Sequence, residues 1–333
     1  MAVSDRVWIL VGMLENICRQ IDRELRSRPQ FAHTSHFLVM VDGHVVYDAH
    51  YRGPLVADIF SVTKSVLATL AGIAVRDGLL TDLDLPVGQV LDLAGSPSAG
   101  QTLRHLLTMT RGSDTAGPYD IDEVMALPHG WLTRIAEAPT VTTPGTRFRY
   151  DNGSSHLLGA ALARLLGTTL SDYAAHRLFA PLGITEWHWP RDPDGYDYGW
   201  GHLRLSAAAL AALGVLWMHH GRWHGQQIMD PGFAHQMTTP QNEGGRPEEH
   251  PYGYLIWIDP HGPFAGGHAG QHVTIVPAAR AVVVTTGDPQ FDPGPPPTEQ
   301  LQPGWRPART LVTEHLVPAL LAPRMTHPVS PSR

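Results

Sequence analysis

In Ser61-Val62-Thr63-Lys64, a serine stands three residues before the only lysine of a 333-residue chain. The other 23 of its 24 basic residues are arginines. Arginine keeps its proton at any accessible pH, whereas a desolvated lysine can lose one, which a general base requires. Three residues make about one helical turn, so on a helix both side chains project from the same face. The chain has 14 serines, and a lone lysine would fall three residues after one of them only about 4% of the time. The pair can supply a hydroxyl nucleophile and the amine that deprotonates it.

The elements around the pair follow from the hydrophobic pattern. His36 to Val41 and His44 to Tyr47 flank Asp42-Gly43, a strong hairpin signal. A helix starting near Ser61 runs through Val66, Leu67, Leu70, Ile73 and Val75 to Asp77-Gly78, where glycine suits the left-handed cap. It is apolar nearly all round, so it should lie in the middle of the fold. Ser61 would then stand at its N-terminus, where unpaired N–H groups and the positive dipole end favour developing negative charge. From Thr81 to about Gln241 the pattern is helical, with the strongest helix at Ser154 to Leu166 and another at Ser206 to His219. Strand character returns at Tyr252 to Ile258, His272 to Val276 and Ala281 to Thr286. Seven prolines between Asp288 and Pro307 predict an irregular crossing, and Ala308 to Leu321 a last amphipathic helix.

These elements predict an α+β fold with one antiparallel sheet of about five strands, flanked by N- and C-terminal helices and interrupted by a large helical region. Residues 1–60 and 250–322 would form the sheet region, residues 61–249 the insertion carrying Ser61, Lys64 and Tyr150, and residues 323–333 a frayed tail. A cleft is expected where sheet and insertion meet.

Composition narrows the class. Hydrophobic residues make up 43% and charged residues 17%, ordinary for a globular chain. A net charge of −7, evenly spread, argues against nucleic acid as a partner. A single cysteine, Cys18, excludes an intramolecular disulfide framework and fits a reducing compartment. No apolar run approaches the roughly 18–20 residues that cross a bilayer. The apolar octet Val7 to Leu14 continues as an amphipathic helix from about Asp5 to Ser27, without a cleavage site, so a cytoplasmic location is expected. His219, His220 and His224 lack acidic or cysteine companions, and no metal or cofactor is implied.

Two further stretches bear on Ser61. Pro144-Gly-Thr-Arg-Phe-Arg-Tyr150-Asp-Asn152-Gly153 is turn-rich and precedes the strongest helix; its phenol can relay a proton and its amide can hold a carbonyl. Gly266-Gly-His268-Ala-Gly270-Gln271 opens a late strand, and its glycines allow a backbone to approach a ligand closely. The aromatic stretch Trp187 to His202 reads chiefly as packing of the helical region. Neither a Gly-x-Ser-x-Gly elbow, nor a phosphate-binding glycine loop, nor a His-Glu-x-x-His helix is found.

In order and spacing, Phe60-Ser61-x-x-Lys64-Ser65, Arg104-His-Leu-Leu-Thr108, Pro144 to Asn152 and Gly267-His268-Ala-Gly270-Gln271 resemble the serine β-lactamase and penicillin-binding-protein superfamily. The likeness covers roughly residues 37–287 and is nearest the class C branch, with its carboxylesterases, D-aminopeptidases and 6-aminohexanoate-dimer hydrolases. It implies Ser61 as acylated nucleophile, Lys64 as base, Tyr150 as its partner in proton transfer and Asn152 as the residue that orients the substrate. The N–H groups of Ser61 and Gln271 would form the oxyanion hole. His268-Ala269-Gly270 would stand where lactamases and transpeptidases carry Lys-Thr-Gly, whose lysine and hydroxyl grip a carboxylate. Neutral histidine is a poorer clamp, so β-lactamase activity is expected to be weak or absent. The resemblance implies a hydrolase acting on a small ester or amide. Two alternatives share the fold: an inactive ligand sensor, and an acyltransferase that uses the same acyl-enzyme.

Overall fold

The computed structural model describes residues 2–291 and 304–322, with side chains described from Gly12 onward. The expected frayed tail, and most of the proline-rich crossing, lie outside the described residues.

The chain opens with helix α1 (Ala2–Ser27). The hairpin β1 (Thr34–Val41) and β2 (His44–His50) follows. Its turn residues Asp42 and Gly43 both have positive φ, 51° and 78°, as a two-residue hairpin loop of primed type requires. The central helix α2 (Val62–Arg76) comes next. A series of helices then includes α3 (Asn152–Leu166) and α4 (Ala207–Met218). Six more strands close the sheet: β3 (Asn242–Gly245), β4 (His250–Tyr252), β5 (Trp257–Asp259), β6 (Gly262–Gly267), β7 (Gln271–Val276) and β8 (Ala281–Gly287). A C-terminal helical segment spans residues 309–321.

The main sheet has eight strands in the order β2-β1-β8-β7-β6-β5-β4-β3, where about five were expected. The additional strands include β3, in a stretch that reads as an exposed loop, and β6, which is Gly-Pro-Phe-Ala-Gly-Gly. Neither has the β-branched alternation that marks a strand in sequence. The expected strand at Tyr252 to Ile258 divides into β4 and β5 around Leu255, whose φ is +52°.

The sheet is covered on both faces. On β1, Leu38 packs toward α2 and α4, whereas Phe37 and Val39 pack toward α1 and the C-terminal helix. On β8, Val282 and Val284 belong to the first layer and Ala281 and Val283 to the second. Burial on both faces explains why these strands read as continuous apolar runs. Gly214 lets α4 lie close on the sheet, since a Cβ there would come within 2.5 Å of Val282.

Every residue of α2 from Val62 to Ala74 is buried. Side-chain hydrogen bonds also fix it in place. Ser65 Oγ donates to the Leu255 carbonyl at 2.7 Å, and Thr63 Oγ1 accepts from Leu203 N–H at 3.2 Å. The nucleophile candidate therefore stands on a rigid element.

Candidate active site

Ser61 occupies the N-cap position of α2, yet its hydroxyl caps nothing. Serine at that position ordinarily accepts a bond from the first-turn N–H groups. Here Oγ lies 2.8 Å from Lys64 Nζ, one turn along the helix. Phe60 makes the turn that presents it. Its φ is +45°, uncommon for a non-glycine residue, and its N–H donates to Asp58 Oδ1 at 2.7 Å. Among the described residues no acceptor takes the Ser61 N–H.

Lys64 is 1% exposed. Its Nζ also donates to the Trp200 carbonyl at 2.7 Å and stands 4.9 Å from the centre of the Tyr150 ring. Burial lowers its proton affinity well below the ordinary lysine value, with the nearby Asp151 carboxylate opposing. Nζ is thus held between Ser61 Oγ and the Trp200 carbonyl.

Tyr150 ends the extended segment before α3. Its ring stacks on Trp257 at 5.8 Å and meets Tyr252 edge-on at 6.5 Å. Burial raises the phenol's proton affinity, and its interaction with the Ser61 hydroxyl partly offsets this. Desolvation thus favours the uncharged forms of both Lys64 and Tyr150, although one is a base and the other an acid. Asn152 begins α3, and its Oδ1 is buried without a partner among the described residues.

Between Tyr150 and Asn152, Asp151 forms a buried ion pair with Arg111, whose side chains are 5% and 2% exposed. Ser154 Oγ donates to the same carboxylate at 2.9 Å, and Arg111 Nη1 donates to the Ile135 carbonyl at 3.2 Å. This pair pins the Tyr150-to-Asn152 segment from behind. Removing one partner of a buried pair leaves an uncompensated charge. Arg111→Met is therefore expected to cost about 3–5 kcal/mol in denaturant unfolding. Asp151→Asn in the same protein should restore part of that loss. Equal stability of Arg111→Met and wild type would contradict this role.

Within the Gly266 to Gln271 stretch, the chain approaches Ser61 at Gly267. A Cβ on Gly267 would lie 2.6 Å from the Ile59 carbonyl and 3.3 Å from Ser61 N. Gly270 has φ +88°, and a Cβ there would face Trp305 and Pro307 instead. Gln271 pairs with Gly267 across the β6–β7 ladder, and its side chain donates to the Gly287 carbonyl at 3.0 Å. Residues 268–270 form the tight turn of that hairpin, with Ala269 at φ +57°. The His268 ring meets Phe60 edge-on at 5.4 Å. The structure thus brings Ser61, Lys64 and Tyr150 together, sets Asn152 at the start of α3 two residues after Tyr150, places His268 beside Phe60, and sets Gly270 toward the C-terminal segment.

Pairing of β6 with β5 ends at Phe264, so on that side Ala265 to Gly267 have no strand partner in the sheet register. The sequence reading missed the Trp200 carbonyl and the aromatic wall of Tyr252 and Trp257, and it passed over Glu248, which stands beside the site. Glu248 lies in the turn between β3 and β4. A Cβ on Gly266 would stand 3.1 Å from its Oε1. A carbonyl leaves no mark in sequence, but an acid between Pro247 and the strand of Tyr252 is a signal that could have been weighed. The Trp187 to His202 stretch mainly packs the helical region, with Trp200 stacked on Tyr198 at 4.4 Å and tilted against Trp131 at 5.8 Å.

The Beta-lactamase family model matches residues 27–295, and the chain belongs to that family. A 6-aminohexanoate-dimer hydrolase of Paenarthrobacter ureafaciens is 24% identical over 238 residues, which is 65% of this chain. The chain spans 60% of the length of that curated relative. Among solved structures, a Bacillus anthracis protein described as a 6-aminohexanoate-dimer hydrolase superposes with a TM-score of 0.73 at 17% identity, covering 90% of this chain and 81% of that one. The octameric penicillin-binding protein homologue of Pyrococcus abyssi gives 0.68 at 21% identity, covering 91% and 77%. At these identities the structures establish the fold. Among the described residues no helix is long and apolar enough to cross a membrane.

Proposed function

We propose that the protein is a serine hydrolase that cleaves a small carboxylic ester or amide through an acyl-enzyme on Ser61. The observation that carries this reading is the desolvated Lys64 amine 2.8 Å from an Oγ that caps nothing. Neutral Lys64 takes the Ser61 proton as Oγ attacks the carbonyl carbon. The tetrahedral oxyanion is met by the Ser61 N–H at the helix N-terminus and by a backbone N–H from the strand end at Gly267–His268. The close approach at Gly267 favours that strand end over Gln271 as the second donor.

Collapse of the intermediate breaks the bond to the leaving group, which receives the proton from Lys64 through the Tyr150 hydroxyl. Water then enters, gives a proton to the same pair and attacks the acyl carbon. Ser61 regains its proton and the acid departs. Because burial disfavours phenolate, Tyr150 works as a neutral relay and Lys64 as the resting base. The Asn152 amide, whose Oδ1 has no partner among the described residues, orients the substrate.

Against Ser61, the strand end reads Ala265-Gly266-Gly267, and lysine is absent from it in this register as in His268-Ala269-Gly270. A carboxylate clamp of the Lys-Thr-Gly kind is therefore missing, which supports esters or amides over β-lactams as substrates. A fluorophosphonate probe tests the nucleophile without knowledge of the substrate. One adduct by intact mass, mapped to Ser61 and absent from Ser61→Ala, is expected. No adduct on folded wild-type protein would overturn the proposal in favour of a ligand sensor.

A further inference from the structure

Glu248 has no part in the acyl-enzyme chemistry, yet it stands beside the strand end that approaches Ser61. It projects from the turn between β3 and β4, and its Oε1 lies over Gly266, next to the residue that touches the Ser61 backbone. Neighbouring strand residues are about 3.3 Å apart, so this carboxylate stands on the order of 10 Å from the reacting centre. It is close enough to act electrostatically on the Tyr150 phenol.

The cations around it are otherwise engaged. Arg309 faces it from the C-terminal helix but is paired with Asp259 at 2.6 Å and stacked 3.7 Å from the Phe264 ring. Arg149 pairs with Asp114 at 3.2 Å, and Lys64, whose proton affinity burial lowers, is bonded to Ser61 Oγ and the Trp200 carbonyl. No described residue makes a hydrogen bond or ion pair with Glu248. Burial raises its proton affinity, and the Arg309 charge only partly offsets this. A carboxylate in that state gains most from a cation brought by the ligand.

We propose that Glu248 is a specificity-determining residue that pairs with a protonated amine on the substrate, so that this site takes amino-bearing esters or amides. The inference rests on the acyl-enzyme reading above. In charge it is the reverse of a site that grips a carboxylate.

The test uses pairs of esters that differ only in a terminal ammonium or methyl group, with the charge placed in turn on the acyl chain and on the alcohol. Wild type should turn over at least one ammonium ester about tenfold or more faster, in kcat/KM, than its neutral partner. Glu248→Gln should abolish that preference while keeping neutral-ester turnover within about threefold, and Glu248→Asp should restore part of it. An unchanged preference in Glu248→Gln, or no preference in wild type, overturns the inference and leaves the hydrolase standing. Turnover of neither ester, or turnover that survives Ser61→Ala, overturns the hydrolase reading and this inference with it.

Discussion

Lys64→Met is expected to lower kcat/KM by about a thousandfold or more while the protein stays folded. Methionine matches the length of the lysine stem and keeps its packing, but it has no lone pair able to take the Ser61 proton. Lys64→Arg should lose as much for the complementary reason, since it brings a charge that cannot be given up. Steady-state turnover of an activated ester, with circular dichroism as the folding control, checks both. Wild-type-like activity in either would remove Lys64 from the base role.

The pH dependence has a defined sign. The base must be unprotonated, so activity falls as pH drops through the proton affinity of Lys64. Because burial sets that affinity well below 10.5, the active plateau should reach much lower pH than an exposed lysine would allow. The same depression has a stability counterpart. Between the lowered folded affinity and the ordinary unfolded one, the unfolded chain binds the extra proton, so wild-type stability rises with pH across that window. Lys64→Met lacks this slope. Its stability relative to wild type should therefore be most favourable at the acid end of the window and decline as pH rises.

Tyr150→Phe is expected to slow turnover by about a hundredfold to ten-thousandfold. The ring contacts with Trp257 and Tyr252 survive in the variant, so its melting temperature should barely move. A neutral relay passes a proton in each half of the reaction, so burst kinetics should show slowed release of the leaving group as well as slowed hydrolysis of the acyl-enzyme. A loss under about tenfold would demote Tyr150 to a packing residue. A large loss accompanied by unfolding would also deny it the relay role.

The hairpin, α2 and the strongest helices were readable because their signals are local: turn residues, apolar periodicity and a capping glycine. Ser61 and Lys64 were readable because one helical turn is a distance that sequence displays directly. The strand end near Ser61 was harder. Gly266, Gly267 and Gly270 are alike in sequence, and only the approach of Gly267 to Ser61 N distinguishes them. Strands β3 and β6, rich in glycine, form through pairing with distant partners and not through their own propensity. Glu248 and the Trp200 carbonyl reach the site only through tertiary folding, which no spacing rule reveals.

The ladder between β1 and β8 has a consequence for how the molecule is made. Val41 pairs with Ala281 and Phe37 with Thr285, so the first hairpin waits for partners some 240 residues downstream. At usual synthesis rates that interval is on the order of tens of seconds. During it, one edge and both apolar faces of the nascent hairpin have no strand or late helix to cover them. Helix α1, already made, can cover the Phe37 and Val39 face, and α2 and α4, which emerge in the meantime, pack on the Leu38 face. The aligned Ser61 site, which needs Gly267 against α2, is thus among the last features of the protein to exist.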